Sequence, residues 1–281
     1  MRAALTVDVP VVVEHTMTKA RILMPDVQGS QDQRQVPIDK VGVKNVRYPI
    51  TLQTPGGGQQ HTIASINLYV SLPREKKGTH MSRFLEILNE HHRSITPQQI
   101  IPILHEMRTK LHADDAHIEM EFPYFIEKSA PVTGSKGLMD YLCTFEGASN
   151  GTDDFILGVK CPATSLCPCS KEISRYGAHN QRCEISARIR TKGLMWIEEL
   201  VKIMEGAASA PVYAVLKRPD EKFVTEQAFD NPKFVEDIIR DLAVALNAED
   251  RITWYSIQSE NFESIHNHNA YALIERDKRA E

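Results

Sequence analysis

The stretch CEISARIRT, residues 183–191, places Cys183, Ile185, Ala187 and Ile189 on one side and Glu184, Ser186, Arg188 and Arg190 on the other. Such alternation is the period of a β-strand with one face on a core and one in water. Immediately after it, Leu194, Ile197, Leu200, Val201 and Met204 recur at helical spacing and stop at Gly206. Before it, LMDYLCTFEG (138–147) and FILGVKCPA (155–163) read as strands around the turn-rich ASNGTDD. After it comes an unassigned apolar run, PVYAVL, and then FDNPKFVEDIIRDLAVALNA. There Asn231 and Pro232 read as N-cap and first helical position, and Val235, Ile238, Ile239, Leu242 and Leu246 form the buried stripe. RITWYSIQ and NAYALIER close this half as strands.

The first half carries the same order. KVGVKNVRYPITLQ (40–53) reads as a strand, TPGGGQQ (54–60) as a glycine-rich turn, and Ala64, Ile66, Leu68, Val70 and Leu72 as the buried face of the return strand. Phe84, Ile87, Leu88 and His91 mark one helix. Thr96-Pro97 starts a second, which carries Ile100, Ile101, Leu104, Met107 and Leu111 and is distorted near its start by Pro102. HIEMEFPYFIEK (117–128) returns to strand. Both halves therefore read strand, strand, helix, helix, strand, strand, an α+β pattern duplicated without a residue-level repeat. The polar run MPDVQGSQDQRQVPIDK (24–40) is irregular, so the expected division is an arm over 1–40, one module over 41–130 and a second over 131–281.

Composition bounds the function. The 281 residues carry a net charge of -4, which offers no global surface for nucleic acid or membrane lipid. No apolar run approaches the length of a membrane span. The five cysteines, an odd number, point to reduced thiols and a cytoplasmic setting. Neither GxxxxGK[ST] nor GxGxxG after a strand is present, which argues against a P-loop or Rossmann site.

The densest chemistry lies in CPCSKEISRYGAHNQR (167–182). The Cys167-x-Cys169 spacing is a poor match to structural zinc, and no second pair exists. Three readings stay open on these residues: ordinary buried thiols with a solvated imidazole, a Cys–His nucleophile pair, or an open metal site completed from distant segments. Further donors are the carboxylates of RPDEKFVTE and the imidazoles His266 and His268 of ESIHNHNAY. Glu236 sits beside an apolar helical stripe, where an i,i+4 pair with Arg240 is its ordinary role. Lys171, Arg175, Arg182 and Arg83 suit surface solubility or charge-assisted contacts to a phosphate.

SLCPCSKEISRYGAHNQR closely resembles the signature of the GTP cyclohydrolase IB family. MPDVQGSQDQR, IDKVGVKNVRYPI, KGTHMSRF, APVYAVLKRPDEKFVTE, NPKFVEDIIRD and ESIHNHNAYA extend the resemblance from about residue 24 to about residue 275. It implies two tandem tunnelling-fold modules, each an antiparallel sheet backed by two helices, pooled into barrels in a homotetramer with active sites between subunits. The implied enzyme is a hydrolase of cyclic amidine C–N bonds. It converts GTP and water to formate and 7,8-dihydroneopterin triphosphate, opening pterin and tetrahydrofolate synthesis.

Carried over by position, the resemblance makes Cys167 and His179 metal ligands and catalytic, with Glu221 and His266 completing the ligand set. Cys169 is a ligand, an alternative ligand or a neighbour of one. Glu236 becomes the anchor for the N–H edge of the purine, replacing its ordinary role. The metal is Zn²⁺ or Mn²⁺, with Fe²⁺ equally suited to such donors. Lys171, Arg182 and Arg83 are assigned to the triphosphate on charge alone. Another tunnelling-fold activity, an archaeal-type cyclohydrolase releasing a cyclic phosphate, and a metal-holding scaffold are the competing readings.

Overall fold

A computed structural model describes residues 26–280, so most of the expected arm over 1–40 lies outside the described residues. Its strands form one antiparallel nine-stranded sheet, with order β1-β2-β3-β4-β5-β6-β8-β9 and β7 paired to β5. In chain order, β1 (Ile38–Gln53) and β2 (Gln59–Leu72) form a hairpin across the expected glycine turn, in register from Gln53↔Gln59. Helices α1 (Met81–His91) and α2 (Pro97–Leu111) follow, then β3 (Ala116–Ser129) and β4 (Lys136–Ser149). The second half contains β5 (Asp153–Leu166), the short α3 (Pro168–Ile173), β6 (Asn180–Thr191), α4 (Ile197–Ala207), β7 (Ala210–Pro211), α5 (Arg218–Asp230), α6 (Val235–Ala248), β8 (Ile252–Asn261) and β9 (Ala270–Asp277).

The period-two strands bury the faces expected of them. Cys183, Ile185, Ala187 and Ile189 of β6, like Ala64, Ile66, Leu68 and Val70 of β2, are at most 1% exposed. One continuous core joins them to Phe84 of α1, Ile100 and Leu104 of α2, Leu200 of α4 and Leu242 of α6, so the helices of both halves cover one sheet face. The other face carries charge pairs between strands, including Arg188–Glu146 at 2.6 Å and Arg190–Asp154 at 2.6 Å. It also holds an open cavity of about 420 Å³ lined by Asn45, Asn67, Glu119, Glu121 and Glu146.

Two expectations are corrected. Pro102 does not distort the start of α2 but sits inside it, between buried Ile100 and Ile103; their burial outweighs the lost backbone bond. Asn231 and Pro232 do not open α6. Asn231 closes α5, donating its side-chain amide to the carbonyls of Ala208 and Ser209 at 3.0 and 3.1 Å. The N-cap of α6 is Phe234, whose N–H bonds the Asp237 carboxylate at 3.0 Å. The intervening backbone is held by the sheet, because Lys233 N–H donates to the Leu166 carbonyl at 3.0 Å. Helix α5, built on RPDEKFVTEQAFD, has few apolar positions and was not evident from periodicity.

Candidate active site

Strands β5 and β6 pair out to Leu166↔Asn180, and Cys167 and His179 are the next residues on either side. Cys167 N–H donates to the His179 carbonyl at 3.1 Å, so the ladder itself sets the two residues opposite each other. The chain then turns sharply. Cys167 is the N-cap of α3 with Pro168 behind it, and its sulfur accepts the Ser170 N–H at 3.4 Å. The Ser170 hydroxyl donates to the Cys167 carbonyl at 3.1 Å and accepts the His179 N–H at 3.2 Å. One serine thus locks both ends of the thiol–imidazole pair.

Cys167 and His179 are half-buried and Cys169 is exposed, whereas Cys143, Cys161 and Cys183 are buried in the core. Burial pushes the Cys183 thiol up to about 12 and raises Cys143 and Cys161 as well, which keeps those three protonated and inert.

The remaining segments converge on this end of the sheet to different degrees. On α5, Val224 and Ala228 pack with Leu166, Ala178 and Ala210, the apolar residues flanking the Cys167–His179 pair. Glu221 lies one turn before Val224 on the same side of that helix and is exposed. The start of α5 is fixed by Asp220, fully buried, which accepts N–H bonds from Val132, Thr133 and Lys217 and the Thr133 hydroxyl at 2.7–2.9 Å. Burial raises the Asp220 carboxyl, but these hydrogen bonds outweigh it and hold it below the ordinary range.

The loop between β8 and β9 crosses His179: Phe262 N–H donates to the Arg182 carbonyl at 2.9 Å, and the Ser264 hydroxyl lies 3.3 Å from His179 Nδ1. His266, two residues on, is exposed and stacked with His268 at 5.2 Å. Glu236 is exposed in the first turn of α6, just after the segment bound to Leu166. The positive end of that helix favours a carboxylate there. Its expected partner Arg240 lies instead 3.9 Å from Asp237.

The three basic residues separate. Arg182 is exposed and makes no side-chain bond among the described residues. The Lys171 ammonium is already engaged, bonding the Phe229 carbonyl and standing 4.3 Å over the Phe229 ring. Arg83 lies in the first half on α1 and donates to the Lys110 carbonyl at 2.9 Å.

Among the described residues, only Glu90, His91 and Glu106 put three potential ligand atoms within 4.8 Å of one another. Lys110 already pairs with both carboxylates of that surface cluster, bonding Glu106 and Glu90 at 2.5 and 2.8 Å. It lies on α1 and α2, away from the sequence signature. Cys167, His179, Glu221 and His266 are not drawn into so tight a group. As donors, though, a thiol, imidazoles and a carboxylate suit a divalent transition metal. His179 uses only Nδ1 in hydrogen bonds among the described residues, bonding Gln181 Oε1 at 3.0 Å, which leaves Nε2 available.

A family model described as type I GTP cyclohydrolase folE2 matches residues 24–272. The chain belongs to that family. Among its relatives, a GTP cyclohydrolase FolE2 of Geobacter sulfurreducens is 59% identical over 91% of this chain and 99% of its own length. Another of the same name, from Azoarcus, is 56% identical over 92% and 97%. Of solved structures, a uricase from Arthrobacter globiformis is similar over 85% of this chain and 93% of its own, at 8% identity and a TM-score of 0.49.

For a type I GTP cyclohydrolase, the residue types around Cys167 were readable in the sequence. What local reading missed was the buried polar set beneath them. Ser165, Gln181 and Asn261 are each at most 8% exposed, and nothing in a period-two pattern marks a polar residue as an anchor. The one available signal was their occurrence at inward positions of strands, where a polar side chain requires a partner.

Proposed function

We propose that the chain, a type I GTP cyclohydrolase of the IB form, converts GTP and water to formate and 7,8-dihydroneopterin triphosphate at a metal centre founded on Cys167 and His179, the entry to tetrahydrofolate synthesis. The observation that carries this reading is the cross-strand pair itself: a half-buried thiol and an imidazole with a free Nε2, locked together by backbone bonds and Ser170. Glu221 on α5 and His266 on the crossing loop complete the donors, and Cys169 stands beside them. Zn²⁺, Mn²⁺ and Fe²⁺ all suit this mixture. A bound divalent metal supplies a Lewis acid that lowers the pKa of water from 15.7 to about 7, the nucleophile needed at guanine C8.

The chain's own residues do the rest. Glu236, held in the first turn of α6, accepts hydrogen bonds from the N–H edge of guanine and orients C8. Arg182 is the cation free to meet the triphosphate. Lys171 joins it by leaving the Phe229 carbonyl, and Arg83 would come from a neighbouring copy. That last role accords with an assembly in which two tandem tunnelling-fold modules per chain, 41–130 and 131–281 after an arm over 1–40, pool into a homotetramer with sites between subunits. The recurrence of two strands, helices and two strands on either side of the β4–β5 turn supports the duplication, with β4 (Lys136–Ser149) closing the first repeat rather than opening the second. The free cysteines accord with the cytoplasm as its compartment.

The test is turnover of GTP by metal-stripped protein given Mn²⁺, Zn²⁺ or Fe²⁺, following formate and the fluorescence of oxidised neopterin. Formate release is expected with at least one metal, and none with all three refutes the reading. Cys167→Ala and His179→Ala are expected to lose turnover and to weaken metal binding; full turnover in either removes that residue from the site.

A further inference from the structure

Beneath His179 the buried polar groups form a chain whose direction can be worked out from its far end. The Ser165 hydroxyl lies 3.1 Å from the Lys233 carbonyl, an atom that can only accept. Its single hydrogen is therefore committed there, and its oxygen can only accept from other partners. Two side-chain amides supply those bonds: Asn261 Nδ2 at 3.0 Å and Gln181 Nε2 at 3.5 Å. With its nitrogen end turned to Ser165, Gln181 presents Oε1 to His179 Nδ1 at 3.0 Å. An amide oxygen cannot donate, so Nδ1 must carry the proton. The lone pair of a neutral imidazole then resides on Nε2. Ser264, 3.3 Å from Nδ1, approaches the same nitrogen and leaves Nε2 clear.

We infer that Gln181 is a positioning residue that fixes the Nδ1–H tautomer and ring orientation of His179, with Ser165 and the Lys233 carbonyl setting the direction of its amide. The inference rests on the assignment of His179 as a ligand through Nε2. It adds a residue two positions along the strand that touches neither metal nor substrate. Ser165 is fully buried and Gln181 is 8% exposed, so solvent does not compete for these bonds. Groups that hold a ligating imidazole in this way typically contribute about 10–100-fold to metal affinity.

The test uses full-length, metal-free protein, with Co²⁺ alone as probe. In Gln181→Leu, Co²⁺ affinity by chelator competition is expected to fall about 10–100-fold, with an altered visible ligand-field spectrum. Gln181→Glu, which keeps an acceptor toward Nδ1 once the Ser165 hydroxyl turns from the Lys233 carbonyl to the second carboxylate oxygen, is expected to bind Co²⁺ at least as well as wild type. Long-range ¹H–¹⁵N spectra of ¹⁵N-histidine protein should show His179 as the Nδ1–H tautomer in wild type and as a mixture in Gln181→Leu. Wild-type affinity and spectrum in a folded Gln181→Leu protein would overturn the inference. So would the Nε2–H tautomer in wild type, or an equal loss in Gln181→Glu. His179→Ala separates the two levels: if it binds Co²⁺ as wild type does, the ligand assignment itself is wrong. If it loses Co²⁺ while Gln181→Leu does not, only the positioning role fails.

Discussion

Truncating Leu166 to alanine probes the coupling between the helix that carries Glu221 and the strand end that carries Cys167. Leu166 is 2% exposed and packs against Ala210 and Ala228, with Ala178 and Val224 at the edge. Its backbone bonds, a donation to Ser209 Oγ at 3.2 Å and acceptance from Lys233 N–H at 3.0 Å, survive the substitution, so the change isolates packing. Three carbons leave the interior, and at about 0.8 kcal/mol each the transfer loss is about 2.4 kcal/mol. Three of the four neighbours are alanines with no side-chain torsion to turn into the gap. A residual void of about 40 Å³ at about 24 cal/mol per Å³ adds about 1 kcal/mol.

The expected total is about 3–4 kcal/mol, or a fall in Tm of about 5–7 °C for a chain of this size, at about 2.1 cal/mol/K of unfolding entropy per residue. Urea denaturation followed by tryptophan fluorescence measures it, with Leu138→Ala, at a 65% exposed position, as a control expected to cost less than about 0.5 kcal/mol. Co²⁺ affinity should fall in the same variant, because α5 loses its seat. A loss under about 1.5 kcal/mol would show that the site collapses and the packing account is wrong. A full loss of stability with unchanged Co²⁺ affinity would show that the seat of α5 does not position a ligand.

Native protein treated with iodoacetamide near pH 8 should be alkylated at Cys169 and Cys167 and spared at Cys143, Cys161 and Cys183, as read by peptide mass spectrometry; early modification of any buried thiol contradicts their burial. The hydrogen-bonded Arg251 side chain, with its backbone N–H, holds the Glu249 carboxyl down to about 2 from an ordinary 4.5. The folded value lies below the unfolded one, so this contribution is complete above about pH 4.5 and is lost as pH falls toward 2. The stability gap between wild type and Glu249→Gln should close across that window, and a constant gap would refute the linkage. Lys128 on β3 bonds Glu205 of α4 at 2.6 Å and the Val212 carbonyl at 2.7 Å, both partners largely enclosed. Lys128→Met should destabilise by about 3–5 kcal/mol by leaving the Glu205 carboxylate without its cation and held only by the Tyr141 hydroxyl at 3.0 Å, and adding Glu205→Gln should recover part of it; no recovery would mean the cost lies in packing.

How much was legible depended on whether the determining interaction was local. Period-two patterns in 64–72 and 183–191 and the stripes of α1, α2, α4 and α6 identify strands and helices, because which face is apolar follows from neighbours a few residues away. The same locality made the residue types of 167–182 conspicuous. It failed for α5, whose thirteen residues bury only Asp220 and Ala228 and so leave no stripe to read. It failed again at Asn231, a good capping residue that bonds two carbonyls more than twenty positions earlier instead of starting a helix.

By itself, then, the sequence determined the alternation of strands and helices, the buried faces, and the thiol, imidazole and carboxylate residue types from which the donors are proposed. Only the tertiary structure decided that Cys167 and His179 are cross-strand neighbours, that Lys171 is engaged, and that Gln181 answers to Ser165. The physical reason lies in register. The partner of a polar group is set by how strands align, and Asn261 meets Ser165 across a separation of 96 residues that no local pattern encodes.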